Sequence, residues 1–196
     1  GIGAIYADRL ARRGHDLILV ARNRARLEAL ATRLTDATGR SVAVIGADLT
    51  NTADLAQVER VLHTDARITL LVNNAGIAAH QPFLDISLQE WRRVMSVNVE
   101  TMFLLCKAFA PSMIARRYGR IVNITSNTVG LVIEGLAHYI ASKAAVVGFT
   151  RAIATELGSH GITVNCVAPG LTRTERTMEA FPSGEAFEHY AQAQAI

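Results

Sequence analysis

Tyr139 and Lys143 stand four residues apart, and Ser126 lies thirteen positions before the tyrosine. The stretch His138–Thr150 is rich in alanine and reads as a helix, so the i, i+4 spacing puts phenol and ammonium on one face. A free phenol has a pKa of about 10 and moves protons poorly near neutrality. A cation held beside it favours the phenolate and lowers that pKa. A hydroxyl from another segment then holds a substrate oxygen next to the tyrosine, which makes a general acid/base site suited to interconverting a carbonyl and an alcohol. The spacing alone also fits a solvated surface pair. Composition adds weight to the site: only two of the 20 basic residues are lysine, Lys107 and Lys143. An otherwise arginine-using chain places here a compact ammonium with three rotatable donors, not a wide planar fork.

The elements that must carry these residues alternate from end to end. Helices are expected at Gly3–Arg13, stopped by Gly14, at Arg24–Ala37 before Gly39, and at Ala53–His63 after the capping residues Asn51 and Thr52. Two more run from Leu88, after Ser87, to about Arg117, and from Leu136 to Leu157. Short apolar strands are expected at Leu17–Ala21, Val42–Ala47, Thr69–Asn73, Arg120–Thr125 and Ile162–Val167, while Leu171–Ile196 reads as polar and loop-like with weak helical pieces. Continuous apolar strands between helices imply an α/β fold, a doubly wound parallel sheet covered on both faces. Ligands of such sheets sit beyond the carboxyl ends of the strands, and Arg22, Asp48, Asn73, Ser126 and Pro169 each follow a strand.

A chain of 196 residues, half of them hydrophobic, suits one domain with a sizeable core. The net charge of +3 raises the question of nucleic acid, but the arginines are spread along the chain without interleaved aromatics, and no nucleic-acid partner is expected. No apolar run of spanning length is apparent, so no membrane partner is expected. Cys106 and Cys166 read as reduced, buried thiols of a cytoplasmic protein, and neither they nor the six histidines have metal-ligand spacing.

In order along the chain stand Gly1-Ile2-Gly3, Asp48, Asn73-Asn74-Ala75-Gly76, Asn98, Ser126, Tyr139-x-x-x-Lys143, and Pro169-Gly170 with Thr174 four residues on. With these motifs the chain resembles, over nearly its whole length, the shorter single-domain branch of the short-chain dehydrogenase/reductase family, of the 3-oxoacyl-carrier-protein-reductase-like kind. The resemblance implies a Rossmann-like single domain, residues 1–196, and hydride transfer between NAD(P) and a ketone or secondary alcohol. It makes Tyr139 the general acid/base, with Lys143 lowering its pKa and bonding the nicotinamide ribose. Ser126 would hold the substrate carbonyl, and Asn98 would bend the long helix and help relay protons to Lys143. Cofactor contacts are implied for Gly1, Ile2, Gly3, Asp48, Leu49, Asn74, Ala75, Gly76, Tyr139, Lys143, Pro169, Gly170, Thr172 and Thr174, with no metal. Simpler readings stand beside these: Asn98 as a helix amide in an apolar stretch, Ser126 as a turn hydroxyl, Asn73 and Asn74 as turn formers, Asp48 as a strand-end cap, and His138 as a pocket-rim or surface residue.

Relatives that prefer NAD carry an acidic residue after the second strand to bind the ribose 2′-hydroxyl. Arg22 occupies that position here. A guanidinium suits a 2′-phosphate, so the expected cofactor is NADP, with NAD the less favoured alternative. The resemblance also suggests a homotetramer or homodimer built through helices 88–117 and 136–157. Met102, Phe103, Leu105, Phe109, Val146 and Phe149 serve either that contact or the core. Ile77, Ala78, Thr128, Leu136 and the 171–196 region, with Met178, Phe181, Phe187 and Tyr190, are expected to line an apolar or mixed substrate pocket. Glu134 is expected in solvent or at a subunit edge.

Both ends depart from the family pattern. The chain starts at what resembles the second glycine of the family fingerprint and stops before the family's glycine-rich finish, so a fragment is expected, lacking a central first strand between those starting at Leu17 and Thr69 and marginal by itself. Two other readings remain at this point: a sugar-nucleotide epimerase or dehydratase of the longer branch, and a catalytically silent dinucleotide-binding sensor or scaffold. The motif Asn73-Asn74-Ala75-Gly76 speaks against the first, and the presence of Ser126, Tyr139 and Lys143 against the second.

Overall fold

The structure, a computed structural model, describes residues 1–63, 65–131, 133–180, 185, 187, 188 and 192. Helix α1 (Ile2–Arg12) leads into strand β1 (Leu17–Ala21), α2 (Arg24–Thr38), β2 (Val42–Gly46), α3 (Thr52–His63) and β3 (Leu70–Asn73). Then come α4 (Leu88–Met95), a π turn (Ser96–Glu100), α5 (Thr101–Ala115), β4 (Gly119–Ile124), α6 (Ala137–Gly158), β5 (Ile162–Val167) and α7 (Glu175–Ala180). Local chemistry sets several of these bounds. Asn23 Oδ1 accepts from the Arg26 N–H at 3.0 Å and starts α2, Asn51 Oδ1 accepts from Ala53 and Asp54 at the start of α3, and Ser87 Oγ accepts from the Glu90 N–H at 3.1 Å and starts α4. Gly39 ends α2 at φ +67, a conformation that other residues reach only with strain.

All strand pairs are parallel, as continuous apolar strands require, and they form two pieces: β1 with β2, and β3-β4-β5 in that order. β1 and β3 are not hydrogen-bonded to each other. Parallel pairing throughout, with helices between the strands, is the doubly wound α/β arrangement expected from the sequence. The core gathers Leu55, Val58 and Leu62 of α3, Met102, Leu105, Phe109 and Met113 of α5, Ile121 of β4, Val146 of α6 and Ile162 and Val164 of β5. Cys106 is buried and free, and burial pushes its thiol up to about 12, which leaves it protonated and inert. Cys166 is also free; it shares the inward side of β5 with Ile162 and Val164 but is only half-buried, not buried as the sequence suggested.

A polar ladder crosses this core. Asn73 Nδ2 donates to Asn123 Oδ1 at 2.8 Å and lies 3.3 Å from Cys106 Sγ; Asn123 Nδ2 donates to Thr150 Oγ1 at 2.9 Å, and Thr150 Oγ1 donates to Val146 O at 2.7 Å. The ladder ties β3, β4 and α6 together, because Asn73 and Asn123 are register partners. We predict that Asn123→Ala destabilises the protein by about 2–3 kcal/mol, through two lost bonds and a buried gap. Urea unfolding checks this; a change below about 0.5 kcal/mol would mean the ladder contributes little.

The sequence suggested one helix from Leu88 to about Arg117. The structure corrects this to α4, the π turn and α5, with Thr101 N–H bonding back five residues to Ser96 O. The break has a tertiary cause: the Asn98 amide grips the Ile77 backbone, and Thr101 Oγ1 bonds both Leu49 O and Ser96 O at 3.2 Å. Inserted polar contacts of this kind widen a helix, and such π turns concentrate at functional sites. The continuous helical stretch Leu88–Ala115 does reach spanning length, with a mean hydropathy of 1.2 in its most apolar window. Its apolar character has a core explanation, since Met102, Leu105 and Phe109 are buried among α3, β4 and α6.

Candidate active site

Helix α6 exposes a mixed face and buries another. His138, Ser142, Val146 and Thr150 recur every four residues and are at most 3 % exposed, so this stripe is driven inward. Each stripe residue is followed by its neighbour on the adjoining edge, and two of those neighbours are Tyr139 and Lys143. Lys143 Nζ lies 5.8 Å from the centre of the Tyr139 ring, so phenol and ammonium share one side of the helix as the spacing predicted.

Lys143 is 4 % exposed. Its Nζ donates to Ile124 O, the last carbonyl of β4, at 2.9 Å, and its own carbonyl accepts from Thr125 Oγ1 at 2.8 Å. Burial pushes its pKa down to about 8. A Cβ added at Gly76 would sit 3.3 Å from Nζ and 3.4 Å from Asn98 Oδ1, so this position leaves space only for glycine without displacement. Gly76, Asn98 and Lys143 therefore meet in one place, although they are far apart in sequence.

Ser126 follows directly on the segment that Lys143 grips. Its Oγ accepts from the Thr128 N–H at 3.3 Å and the Thr128 hydroxyl at 3.0 Å. Its own hydroxyl proton has no acceptor among the described residues, which leaves it able to donate to an incoming oxygen. The turn-hydroxyl reading of Ser126 is thus also true: it caps the 3₁₀ turn Asn127–Gly130 and keeps a donor free. Asn98, 2 % exposed, uses its amide fully, accepting from Ile77 N at 2.8 Å and donating to Ile77 O at 3.0 Å and Ser142 Oγ at 2.9 Å.

The remaining predicted residues border the carboxyl ends of the strands. A Cβ at Gly3 would lie 2.7 Å from Asn74 Nδ2, so the start of α1 abuts the end of β3. Helix α1 begins at Gly1 with no side-chain cap, and the Ala4 N–H bonds back to Gly1 O. Nothing lies within 4 Å of a Cβ at Gly1, so space does not demand glycine there. Ala75 is exposed, and Leu49 contributes its carbonyl to Thr101. Asp48 Oδ1 accepts from the Thr50 N–H and hydroxyl, which, with a smaller pull from Arg22, hold its carboxyl below the usual range. Arg22 is exposed at the end of β1 and makes no hydrogen bond or salt bridge among the described residues.

Pro169 O accepts from Asn127 N at 3.1 Å, and Gly170 O from the Thr172 hydroxyl at 3.2 Å. Thr174 and Thr177 exchange bonds, 2.8 and 3.2 Å, as a reciprocal cap at the start of α7. Arg26 on α2 reaches Glu175 on α7 at 3.1 Å. Among the expected pocket residues, Ile77, Thr128 and Leu136 are half-buried, Ala78 and Met178 exposed, and Phe187 buried; Phe181 and Tyr190 lie outside the described residues. Glu134 is exposed, as expected.

Two readings need correction or addition. His138 is not at a rim or surface: it is fully buried between α4 and α6, its Nε2 4.0 Å from Glu90 Oε1. The four-residue inward stripe puts it there. Thr125 and Ser142 were not singled out in the sequence, yet both are buried and bond the backbone of α6. The signal that would have found Ser142 is its place on the His138–Val146 stripe immediately before Lys143.

A family profile described as short chain dehydrogenase matches residues 1–184. A 3-oxoacyl-[acyl-carrier-protein] reductase of Synechocystis sp. is 37 % identical over 182 residues, covering 90 % of this chain and 72 % of that protein. A galactitol 2-dehydrogenase (L-tagatose-forming) of Cereibacter sphaeroides is 40 % identical over 195 residues, covering 96 % of this chain and 74 % of that one. A short-chain dehydrogenase from Sphingobium yanoikuyae, solved in complex with NADPH, superposes with a TM-score of 0.86 at 45 % identity over 89 % of this chain and 68 % of that chain.

Proposed function

Because this chain belongs to the short-chain dehydrogenase family, we propose that it is an NADP-dependent oxidoreductase that interconverts a ketone and a secondary alcohol, with Tyr139 as the general acid/base. The observation that carries this reading is the convergence of Tyr139, Lys143, Asn98 and Gly76 beside the end of β4, where Ser126 keeps a free donor.

The residues present fit a dinucleotide. Glycine at 3 lets the start of α1 close on Asn74 and glycine at 76 lets the loop after β3 close on Lys143, and the start of α1 offers backbone N–H groups without a side-chain cap. The residues that would hold it are Gly1, Ile2, Gly3, Arg22, Asp48, Leu49, Asn74, Ala75, Gly76, Tyr139, Lys143, Pro169, Gly170, Thr172 and Thr174. When bound, the nicotinamide supplies or accepts the hydride. Ser126 donates its hydroxyl to the substrate oxygen and polarises the carbonyl. Tyr139 gives a proton to that oxygen in reduction and takes it back in oxidation. The buried Lys143 ammonium, fixed by Ile124 O, stabilises negative charge as it builds on the phenol oxygen.

Arg22 supports the choice of NADP, and the NADPH bound by the Sphingobium relative agrees with it. We predict that Arg22→Ser lowers the ratio of kcat/KM for NADPH over NADH by about ten- to a hundredfold, the loss of one or two charge-assisted bonds. Equal or better use of NADH by the unaltered enzyme would remove the NADP assignment. Subunit pairing is supported by Phe103, which is 44 % exposed on α5 and meets Phe149 of α6 edge-on at 6.1 Å. Met102, Leu105, Phe109 and Val146 are spent on the core instead. The test of function is a panel of ketones, sugars and acyl thioesters followed by NADPH absorbance; no turnover on any would leave only cofactor binding.

A further inference from the structure

The Asn98 amide and the Tyr139 backbone are joined by one hydroxyl. Ser142 Oγ accepts from Asn98 Nδ2 at 2.9 Å and donates to Tyr139 O at 2.6 Å. Asn98 in turn holds both the N–H and the carbonyl of Ile77. The hydrogen bonds thus run without a gap from the loop after β3, through the π turn, to the first turn of α6. Ser142 is fully buried and sits immediately before Lys143, so water cannot take over either bond. A buried chain of such bonds is mutually polarised, and losing its central member leaves the Asn98 donor short of a partner.

We propose that Ser142 is a positioning residue that sets the height of Tyr139 on α6 against the Ile77 loop, so that the phenol and the Gly76–Lys143 contact move as one body. This rests on the assignment of Tyr139 as general acid/base. Within the π turn the Asn98 amide meets Ile77 and Ser142 together. The device explains a fully buried hydroxyl on an otherwise alanine-rich helix, where alanine would favour the helix more. General acid/base chemistry is sensitive to placement, and a shift of about 1 Å can cost about a hundredfold in rate.

The experiment measures kcat, KM, NADPH dissociation constant and Tm for Ser142→Ala and Ser142→Cys, with Tyr139→Phe as control. Ser142→Ala keeps a good helix former and folds. The expected result is a kcat lowered about ten- to a hundredfold, NADPH affinity within about twofold of wild type, and Ser142→Cys between the two because a thiol is a weak donor. Asn98→Ala combined with Ser142→Ala is expected to lose no more activity than Asn98→Ala alone, since both cut one chain. A kcat within about twofold of wild type for both serine variants overturns the proposal. So does a loss of kcat matched by an equal loss of NADPH affinity and a falling Tm, which is what a merely structural role produces. If Tyr139→Phe itself turns over, the functional reading fails and takes the proposal with it; if it is dead while Ser142→Ala is not, only the proposal falls.

Discussion

Tyr139→Phe is expected to lower kcat at least about a hundredfold while NADPH binding stays within about twofold of wild type. The change removes one oxygen and keeps the ring, so the packing of α6 and the 5.8 Å approach of Lys143 to the ring are retained. What is lost is the proton that must reach the substrate oxygen as hydride arrives at carbon. In the proposed mechanism Ser126 polarises that oxygen but is itself a poor acid, and the Lys143 ammonium, bonded to Ile124 O at 2.9 Å, serves the phenol. Steady-state kinetics with a fluorescence titration of NADPH separates the two effects. Turnover within tenfold of wild type would move the acid/base role elsewhere and undo the mechanism.

Lys143→Met is expected to cost at least about a hundredfold in kcat and yet to leave the protein as stable as before, or more so. The reason lies in burial. Desolvation lowers the lysine from its ordinary 10.5 to about 8, a penalty on the order of 3 kcal/mol for holding the charge at neutral pH. Losing the bond to Ile124 O offsets part of this, by about 1–3 kcal/mol. Between about pH 8 and 10.5 the unfolded chain binds more protons at this site than the folded one, so stability rises with pH across that window. Below about 8 both states carry the proton and the full penalty persists. The methionine variant lacks this slope. Its advantage in Tm is therefore expected at pH 7 and shrinks towards pH 10. A variant melting well below wild type at pH 7 would show that the ammonium stabilises the fold, and that burial is not a cost borne for catalysis.

The two expectations bear on different things. The tyrosine substitution tests chemistry at constant structure, whereas the lysine substitution tests whether function is held against stability. A buried, partly desolvated cation beside a phenol is the kind of arrangement that active sites keep and cores discard.

Much of this protein was written in the order of its residues. Helix and strand periods separate cleanly here, so the strands Leu17–Ala21 and Ile162–Val167 were placed to the residue, and the parallel sheet followed from their continuous apolar runs. An i, i+4 pair on a helix is a local fact, which is why Tyr139 and Lys143 could be placed on one face without coordinates. What chain order could not contain was the partner of each polar side chain. That Asn98 bonds Ile77 and Ser142, that Lys143 reaches Ile124 O, and that His138 is sealed between two helices depend on segments brought together from 19 to 48 residues away. The break of the Leu88–Arg117 helix belongs with these in part: the resemblance implied a bend at Asn98, but the backbone its amide takes hold of, Ile77, lies outside the helix. Local periodicity thus determined the elements and the face that carries Tyr139 and Lys143. Only tertiary packing, which decides where buried donors find acceptors, determined how that face is held in register.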